Sequence, residues 1–230
     1  MKNFLDISEI SATAIRKIID DAKIRKAKRK ELNKSSFDED KPMEGKSMIM
    51  IFEKPSTRTR ISFDIAAKQL GGSTITLNPD GIHYGKGDES LKDTAKVLSE
   101  YADIIMLRTS NHNNLKEFAK FSEIPLINGL SEKGHPCQIL SDILTFEETK
   151  GEIKGKTLAW IGDGNNNMSN SFIEASVKLG FQLNIGCPKL YSPQNKIVNW
   201  AKRNKAKLFI TNDPIKAVEN ADCVMTDKWV

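Results

Sequence analysis

The chain has 230 residues, of which 39% are hydrophobic and 28% charged, with a net charge of +5. That length can bury the core of one large domain or two modest ones. The amino terminus lacks the apolar core of a signal peptide, and no apolar run approaches the roughly 18 residues of a membrane span. The cysteines are scattered singly, which argues against a disulfide framework: Cys137, Cys187 and Cys223. We expect a soluble protein of the reducing cytoplasm.

Helix-like and strand-like segments alternate along the chain. The predicted helices cover 8–30, 57–70, 89–101, 113–121, 136–149, 168–179, 193–204 and 213–220. The predicted strands cover 47–52, 73–77, 103–107, 124–127, 157–161, 181–185, 207–211 and 222–226. This alternation predicts an α/β fold with parallel sheets and crossover helices. The polar, glycine-punctuated stretch ETKGEIKGK places a boundary between two domains near residue 150.

The first predicted helix ends in a basic run, KIRKAKRKELNK. The ordinary interpretation is a solvated helix end. A nucleic-acid patch is the alternative, but aromatic or glycine neighbours are missing until Phe37, so we do not expect nucleic-acid binding.

The stretch FEKPSTRTRISFD directly follows the apolar run of the first predicted strand. A helix amino terminus carries unpaired N–H groups and partial positive charge, which favour an anion. Three hydroxyl side chains add donors, and Arg58 or Arg60 can add a bidentate fork. Helix capping accounts for one hydroxyl only. The stretch therefore predicts a phosphate or carboxylate site.

A second strand–loop–helix segment, LAWIGDGNNNMSNSFIEASVKLGF, has the same plan as the segment that contains this stretch. Ligands of open α/β sheets lie at the carboxyl ends of strands, so we expect each half to contribute one polar loop to a shared cleft. Gly162 and Gly164 suggest a dinucleotide loop. A third glycine and the acidic residue after the next strand are absent, which disfavours it.

Several motifs resemble those of the aspartate/ornithine carbamoyltransferase family, in family order along all 230 residues. FEKPSTRTRISF resembles the carbamoyl-phosphate loop, and HPCQILSDILTF the second signature. INGLSEKGHPCQ, WIGDGNNNMSNS and TDKWV resemble the ornithine branch. The resemblance implies two doubly wound parallel-sheet domains around a cleft: 1–150 binds carbamoyl phosphate and 151–230 binds ornithine. It also implies a homotrimer that needs no metal or organic cofactor.

The implied reaction transfers the carbamoyl group of carbamoyl phosphate to the δ-amine of L-ornithine, giving L-citrulline and phosphate. The residues that match the family's phosphate site are Ser56, Thr57, Arg58, Thr59 and Arg108, with His83 reaching a neighbouring subunit. His135 matches the donor to the carbamoyl oxygen and Gln138 the residue that holds the carbamoyl amine. Asn167 and Asp227 match ornithine contacts. Arg58, Arg108 and His135 are the expected catalytic groups, because they can stabilise charge on the leaving phosphate and the carbonyl oxygen.

The family continues beyond the segment that matches Val230, into loops that complete ornithine binding. We therefore expect a carboxy-terminally truncated chain whose second domain is incomplete and whose turnover is weak or absent. Two alternatives remain open at this point. One is a carbamoyltransferase for aspartate or putrescine, and the other is an inactive subunit that only binds carbamoyl phosphate.

Overall fold

The computed structural model describes residues 2–78 and 89–227. Contacts within the fold divide the chain into two compact units. Unit 1 comprises Met1–Leu5 and Asp21–Glu132, and unit 2 comprises Asp6–Asp20 and Lys133–Val230. Each unit contains a four-stranded parallel sheet with helices, so the predicted α/β class is confirmed.

Unit 1 is built on a sheet of strand order β2-β1-β3-β4. Its strands are β1 (Ser47–Phe52), β2 (Ser73–Leu77), β3 (Ile104–Arg108) and β4 (Leu126–Leu130). Its helices are α2 (Thr57–Gln69), α3 (Leu91–Tyr101) and α4 (His112–Phe121), while α1 (Ala12–Lys28) contributes residues to both units. The chain leaves β1 toward β2 and leaves β3 in the opposite direction, toward β4. The carboxyl ends of β1 and β3 therefore flank a topological switch point, where open α/β sheets bind ligands.

The core of unit 1 lies on both faces of this sheet. Alternate residues of a strand point to opposite faces, so β1 supplies Ile49 and Ile51 to one cluster and Met48 and Met50 to the other. Phe118 of α4 belongs to the first cluster. This two-sided burial explains why the strand sequences are nearly continuous apolar runs.

Unit 2 repeats the plan with strand order β7-β6-β5-β8. Its strands are β5 (Thr157–Ile161), β6 (Gln182–Gly186), β7 (Lys207–Thr211) and β8 (Cys223–Met225). Its helices are α5 (Pro136–Lys150), α6 (Asn167–Leu179), α7 (Asn195–Arg203) and α8 (Pro214–Val218), with 3-10 turns at Ile7–Glu9 and Lys189–Tyr191. The switch point of this sheet lies between β5 and β8. None of the helices in the described part of the chain combines the length and apolar character needed to cross a membrane.

Two predicted boundaries were wrong for identifiable reasons. The first helix begins at Ala12, not at residue 8, because Ile7–Glu9 form a 3-10 turn and Ile10 is extended. Strand β4 runs through Asn128 and Gly129, although an Asn-Gly pair usually signals a turn. Asn128 donates from Nδ2 to the Leu5 carbonyl oxygen at 2.9 Å, and a Cβ at Gly129 would lie 2.3 Å from Met106 Sδ. Asn128 and Gly129 therefore belong to a strand whose surroundings are tightly packed.

The basic end of α1 is more ordered than a solvated helix end. Arg25 donates to Asp21, Asp38 and Asp40, and Arg29 donates to Asp38. These contacts hold the following loop to the helix and occupy two guanidiniums that a nucleic-acid patch would need.

An ion pair between Arg16 of α1 and Glu147 of α5 stabilises unit 2. Two guanidinium nitrogens of Arg16 lie 2.7 and 2.8 Å from the two carboxylate oxygens of Glu147. The Glu147 side chain is fully buried and also accepts from the Ile153 amide at 3.1 Å. The hydrogen bond and charge of Glu147 outweigh burial and raise the pKa of Arg16 above its ordinary value.

We expect Arg16→Ala to lower the free energy of unfolding by about 3–5 kcal/mol, because it leaves a buried carboxylate without its cation. Urea denaturation measures the change. Lys17→Ala, at the next and exposed position of α1, is the matched control and should change it by less than about 0.5 kcal/mol. Equal effects of the two variants would contradict the prediction.

Candidate functional site

The first candidate site lies in unit 1, at the carboxyl ends of β1 and β3. Phe52, the last residue of β1, is the partner of Arg108, the last residue of β3. The loop after β1 and the first turn of α2 therefore emerge beside Arg108. Arg108 Nη1 donates to Thr59 Oγ1 at 3.1 Å, which connects the strand end to the helix. The structure thus brings together the predicted anion loop and the predicted strand-end arginine.

The amino terminus of α2 is free to receive an anion. Ser56 is the N-cap residue, but its side chain makes no capping hydrogen bond, and the first turn contains no acidic residue. The first amide groups of a helix have no intrahelical partner and carry partial positive charge. The hydroxyl groups of Ser56 and Thr57 lie at this terminus, so donors of two kinds surround it.

Two guanidinium groups belong to the first site, and no described carboxylate pairs with Arg108. Burial lowers the pKa of Arg108, and the positive charge of Arg58 lowers it further. The buried Nε of Arg108 has no hydrogen-bond partner among the described residues. The nearby carboxylate of Glu53 is occupied, because it accepts from Thr109 Oγ1 at 2.6 Å and from the Ser110 amide at 3.1 Å. A dianion would relieve the repulsion between the arginines and satisfy the orphaned donor.

Arg58 and Arg60 differ in their surroundings. The charge of Arg58 acts on Arg108. The charge of Arg60 acts on Asp64, whose pKa is lowered first by Lys68 and Thr74 and further by Arg60. Of the two arginines left open by the sequence, Arg58 is therefore the one associated with the site.

The second candidate site lies in unit 2 and begins with His135. His135 is the N-cap residue of α5 and precedes Pro136, which occupies the first helical position. Its amide donates to Ser171 Oγ of α6 at 2.9 Å. Asn170 Nδ2 donates to the Lys133 carbonyl oxygen at 3.1 Å, and Lys133 pairs with the buried Asp6. The residues before α5 are thereby fixed to α6 and to the amino-terminal segment of unit 2.

Gln138 lies one helical turn after His135 and is exposed. Its Nε2 donates to Asp142 Oδ1 at 2.8 Å. Burial raises the pKa of Asp142 above its ordinary value, the hydrogen bond from Gln138 lowers it, and the charge of Asp227 raises it. Asp227, two residues after β8, therefore lies near α5, and its role as an ornithine contact stays a prediction.

The loop after β5 is held by its own polar groups. Trp160 Nε1 and Asn166 Nδ2 both donate to the Asp163 carbonyl oxygen at 2.9 Å, and Asn166 caps α6. A Cβ at Gly164 would lie 2.9 Å from the Tyr191 carbonyl oxygen, so this glycine is required by packing. Asn167 follows as the first residue of α6 and is half-buried. Packing thus accounts for Gly164, one of the two glycines that suggested a dinucleotide loop.

One predicted site residue, His83, lies outside the described residues. His112, which has no role in the family pattern, is buried, and its Nδ1 lies 2.9 Å from Ser131 Oγ. In the described ranges 2–78 and 89–227, no group of three or more His, Cys, Asp and Glu residues could hold a metal ion. The sequence reasoning missed Ser171 and Asp142; the spacing of four residues from Gln138 to Asp142 was the available signal for the latter.

Comparison with known families identifies both parts of the chain. A family model for the carbamoyl-phosphate-binding domain of aspartate/ornithine carbamoyltransferases matches residues 2–148. A model for the aspartate/ornithine-binding domain of the same family matches residues 154–230. The chain belongs to the aspartate/ornithine carbamoyltransferase family.

Individual members of this family match the whole chain. Ornithine carbamoyltransferase of Brucella ovis is 47% identical over 230 residues, which are all of this chain and 72% of the relative. The Rhizobium meliloti protein of the same name is 48% identical over 229 residues, 73% of its length. Ornithine carbamoyltransferase from Pyrococcus furiosus superimposes with a TM-score of 0.92 at 38% identity, covering 100% of this chain and 72% of the other.

A member of the aspartate branch is also similar in fold. The catalytic subunit of aspartate transcarbamoylase from M. jannaschii has a TM-score of 0.84 at 29% identity, covering 98% of this chain and 73% of that chain. Carbamoyltransferases of both branches therefore share the architecture described above.

We expect Ser171→Ala to loosen His135, because the His135 amide loses its acceptor. The variant should speed hydrogen–deuterium exchange of that amide by about tenfold or more and lower the free energy of unfolding by about 1–3 kcal/mol. Ser176→Ala is the matched control: Ser176 is a buried serine of the same helix that donates to the Ile173 carbonyl oxygen. The exchange rate of the His135 amide is measured by NMR, and an unchanged rate in Ser171→Ala would contradict the prediction.

Proposed function

We propose that this chain is an ornithine carbamoyltransferase, which transfers the carbamoyl group of carbamoyl phosphate to the δ-amine of L-ornithine and releases L-citrulline and phosphate. The observation that carries the proposal is the contact of Arg108, at the end of β3, with Thr59 in the first turn of α2, beside Arg58 and at the switch point of the sheet. Ornithine as the acceptor is supported by relatives that are named ornithine carbamoyltransferase and are 47–48% identical to this chain.

The phosphate group of the substrate binds at the first site. Ser56, Thr57 and Thr59 supply hydroxyl donors together with the free amides of the helix terminus. Arg58 and Arg108 supply charge-assisted bonds, and the orphaned Nε of Arg108 gains a partner. His83 is assigned to the phosphate site of a neighbouring subunit. This assignment follows the family pattern and agrees with an assembly as a homotrimer.

The carbamoyl group binds to His135, Gln138 and Arg108. Attack by the deprotonated δ-amine moves negative charge onto the carbonyl oxygen, where donors from His135 and Arg108 stabilise it. Arg58 stabilises the charge of the leaving phosphate. No protein nucleophile takes part, so rate acceleration comes from positioning the two substrates and from charge stabilisation. No metal or organic cofactor enters the proposed mechanism.

Ornithine binds at the second sheet's switch point through Asn167 and Asp227. The carboxylate of Asp227 is exposed and suits the α-ammonium group, while Asn167 offers an amide at the start of α6. The carbamoyl-phosphate-binding domain spans 1–150 and the ornithine-binding domain 151–230, a division supported by the family-model borders at 148 and 154. We place the protein in the cytoplasm.

Arg58→Ala should abolish or greatly weaken carbamoyl phosphate binding, at least about tenfold, because it removes a charge-assisted partner of the phosphate. Isothermal titration calorimetry measures the affinity. Arg60→Ala is the matched control, with the same loss of charge two residues away, and should bind nearly as well as the wild type. Equal affinities of wild type and Arg58→Ala would remove the basis of the proposal.

Ornithine should be the preferred acceptor. We expect citrulline to be the main carbamoylated product when carbamoyl phosphate is offered with equal concentrations of ornithine, aspartate and putrescine. Chromatography with mass detection separates the three products. If carbamoyl-aspartate or carbamoyl-putrescine were the main product, the chain would be a carbamoyltransferase for aspartate or putrescine.

A further inference from the structure

We propose that Asp142 is a positioning residue for substrate binding: it orients the side-chain amide of Gln138 so that the carbonyl end faces the carbamoyl amine. The inference rests on the proposed function, in which Gln138 holds that amine. The new element is Asp142, which determines which end of the Gln138 amide faces the carbamoyl amine.

The geometry of the pair determines the orientation. Gln138 and Asp142 lie four residues apart on α5, and Gln138 Nε2 is 2.8 Å from Asp142 Oδ1. An ionised carboxylate only accepts hydrogen bonds, so it must face the NH₂ end of the amide. The Oε1 end then points away from Asp142. A carbamoyl NH₂ group only donates, and Oε1 is the end of Gln138 that can accept from it.

The surroundings of Asp142 distinguish this pair from an ordinary surface contact. Burial and the charge of Asp227 both raise the pKa of Asp142, whereas the hydrogen bond from Gln138 lowers it. The Asp142 charge in turn raises the pKa of Cys223 on β8, after the larger effect of burial. A partly desolvated carboxylate beside a second carboxylate costs folding free energy. An exposed side-chain pair four residues apart stabilises a helix by only a few tenths of a kcal/mol. That is too little to explain why the Asp142 carboxylate lies in a partly desolvated position near Asp227.

Without Asp142 the amide of Gln138 is free to rotate. Its NH₂ end could then face the carbamoyl NH₂, where two donors meet and no hydrogen bond forms. Loss of Asp142 should therefore weaken ligands that carry the amine and spare ligands that lack it. A purely structural role in α5 would weaken both kinds of ligand alike.

Two phosphonates separate these cases. Phosphonoacetamide carries the amide NH₂, and 2-oxopropylphosphonate has a methyl group in its place with the same phosphonate charge. Calorimetric titration of the whole chain gives the ratio of their affinities. We expect the wild type to favour the amide by about three- to tenfold, the range of one net hydrogen bond. Asp142→Ala should lower this ratio by about twofold, the cost of selecting one of two amide orientations, with an unchanged affinity for the ketone.

Further variants make the test independent of folding defects. Asp142→Asn keeps the shape of the side chain but can both donate and accept, so it should lower the ratio part of the way. Ser141→Ala, an exposed neighbour on α5, should leave the ratio unchanged. Gln138→Ala removes the acceptor and should reduce the ratio to about one, and the double variant should reduce it no further, because Asp142 acts only through Gln138.

The outcomes are distinct. Equal weakening of both phosphonates in Asp142→Ala and Asp142→Asn, or an unchanged ratio, overturns the positioning role while the proposed function stands. Failure of the folded wild type to bind either phosphonate overturns the proposed function and this inference together. A lowered ratio in Asp142→Ala, with retained ketone binding, supports both.

Discussion

The parallel pairing of β1 with β3 is the constraint on which the first candidate site depends. It sets Phe52 beside Arg108, so that the chain leaving β1 begins α2 next to the end of β3. The hydrogen bond from Arg108 Nη1 to Thr59 Oγ1 then connects the end of β3 to the first turn of α2, the turn that contains Arg58. Burial and then the positive charge of Arg58 lower the pKa of Arg108, and this pair of helix and strand positions is the basis of the proposed phosphate site.

The second unit also has a candidate site at the switch point of its sheet, but with different side chains. Its switch point gathers exposed polar groups and a carboxylate in place of arginines, and α5 brings His135 and Gln138 to its own amino-terminal turns. Each of these groups is fixed by a neighbour that has no direct part in the proposed chemistry: Ser171 for His135, and Asp142 for Gln138. Such supporting contacts determine how well a site is preorganised.

Two buried polar side chains, one in each unit, have partners far away in the chain. Glu147 receives Arg16 from a helix 131 residues earlier in the chain, and Asn128 donates to the carbonyl of Leu5. Local sequence patterns carry no signal for such pairs, because each residue alone is compatible with many environments. This is why the sequence did not predict Asn128 within β4, nor the contacts of Arg25 and Arg29 with Asp38.

The sequence by itself determined the α/β class and the alternation of helices and strands, and it predicted the anion-binding loop, because hydrophobic periodicity and helix-terminal chemistry are local properties. Its motifs also determined the family. Only the tertiary structure decided that Asn128 pairs with Leu5, that Gly164 is required by Tyr191, and that Arg16 pairs with Glu147. These relations depend on strand order and on distances between residues far apart in the chain, which no local pattern specifies.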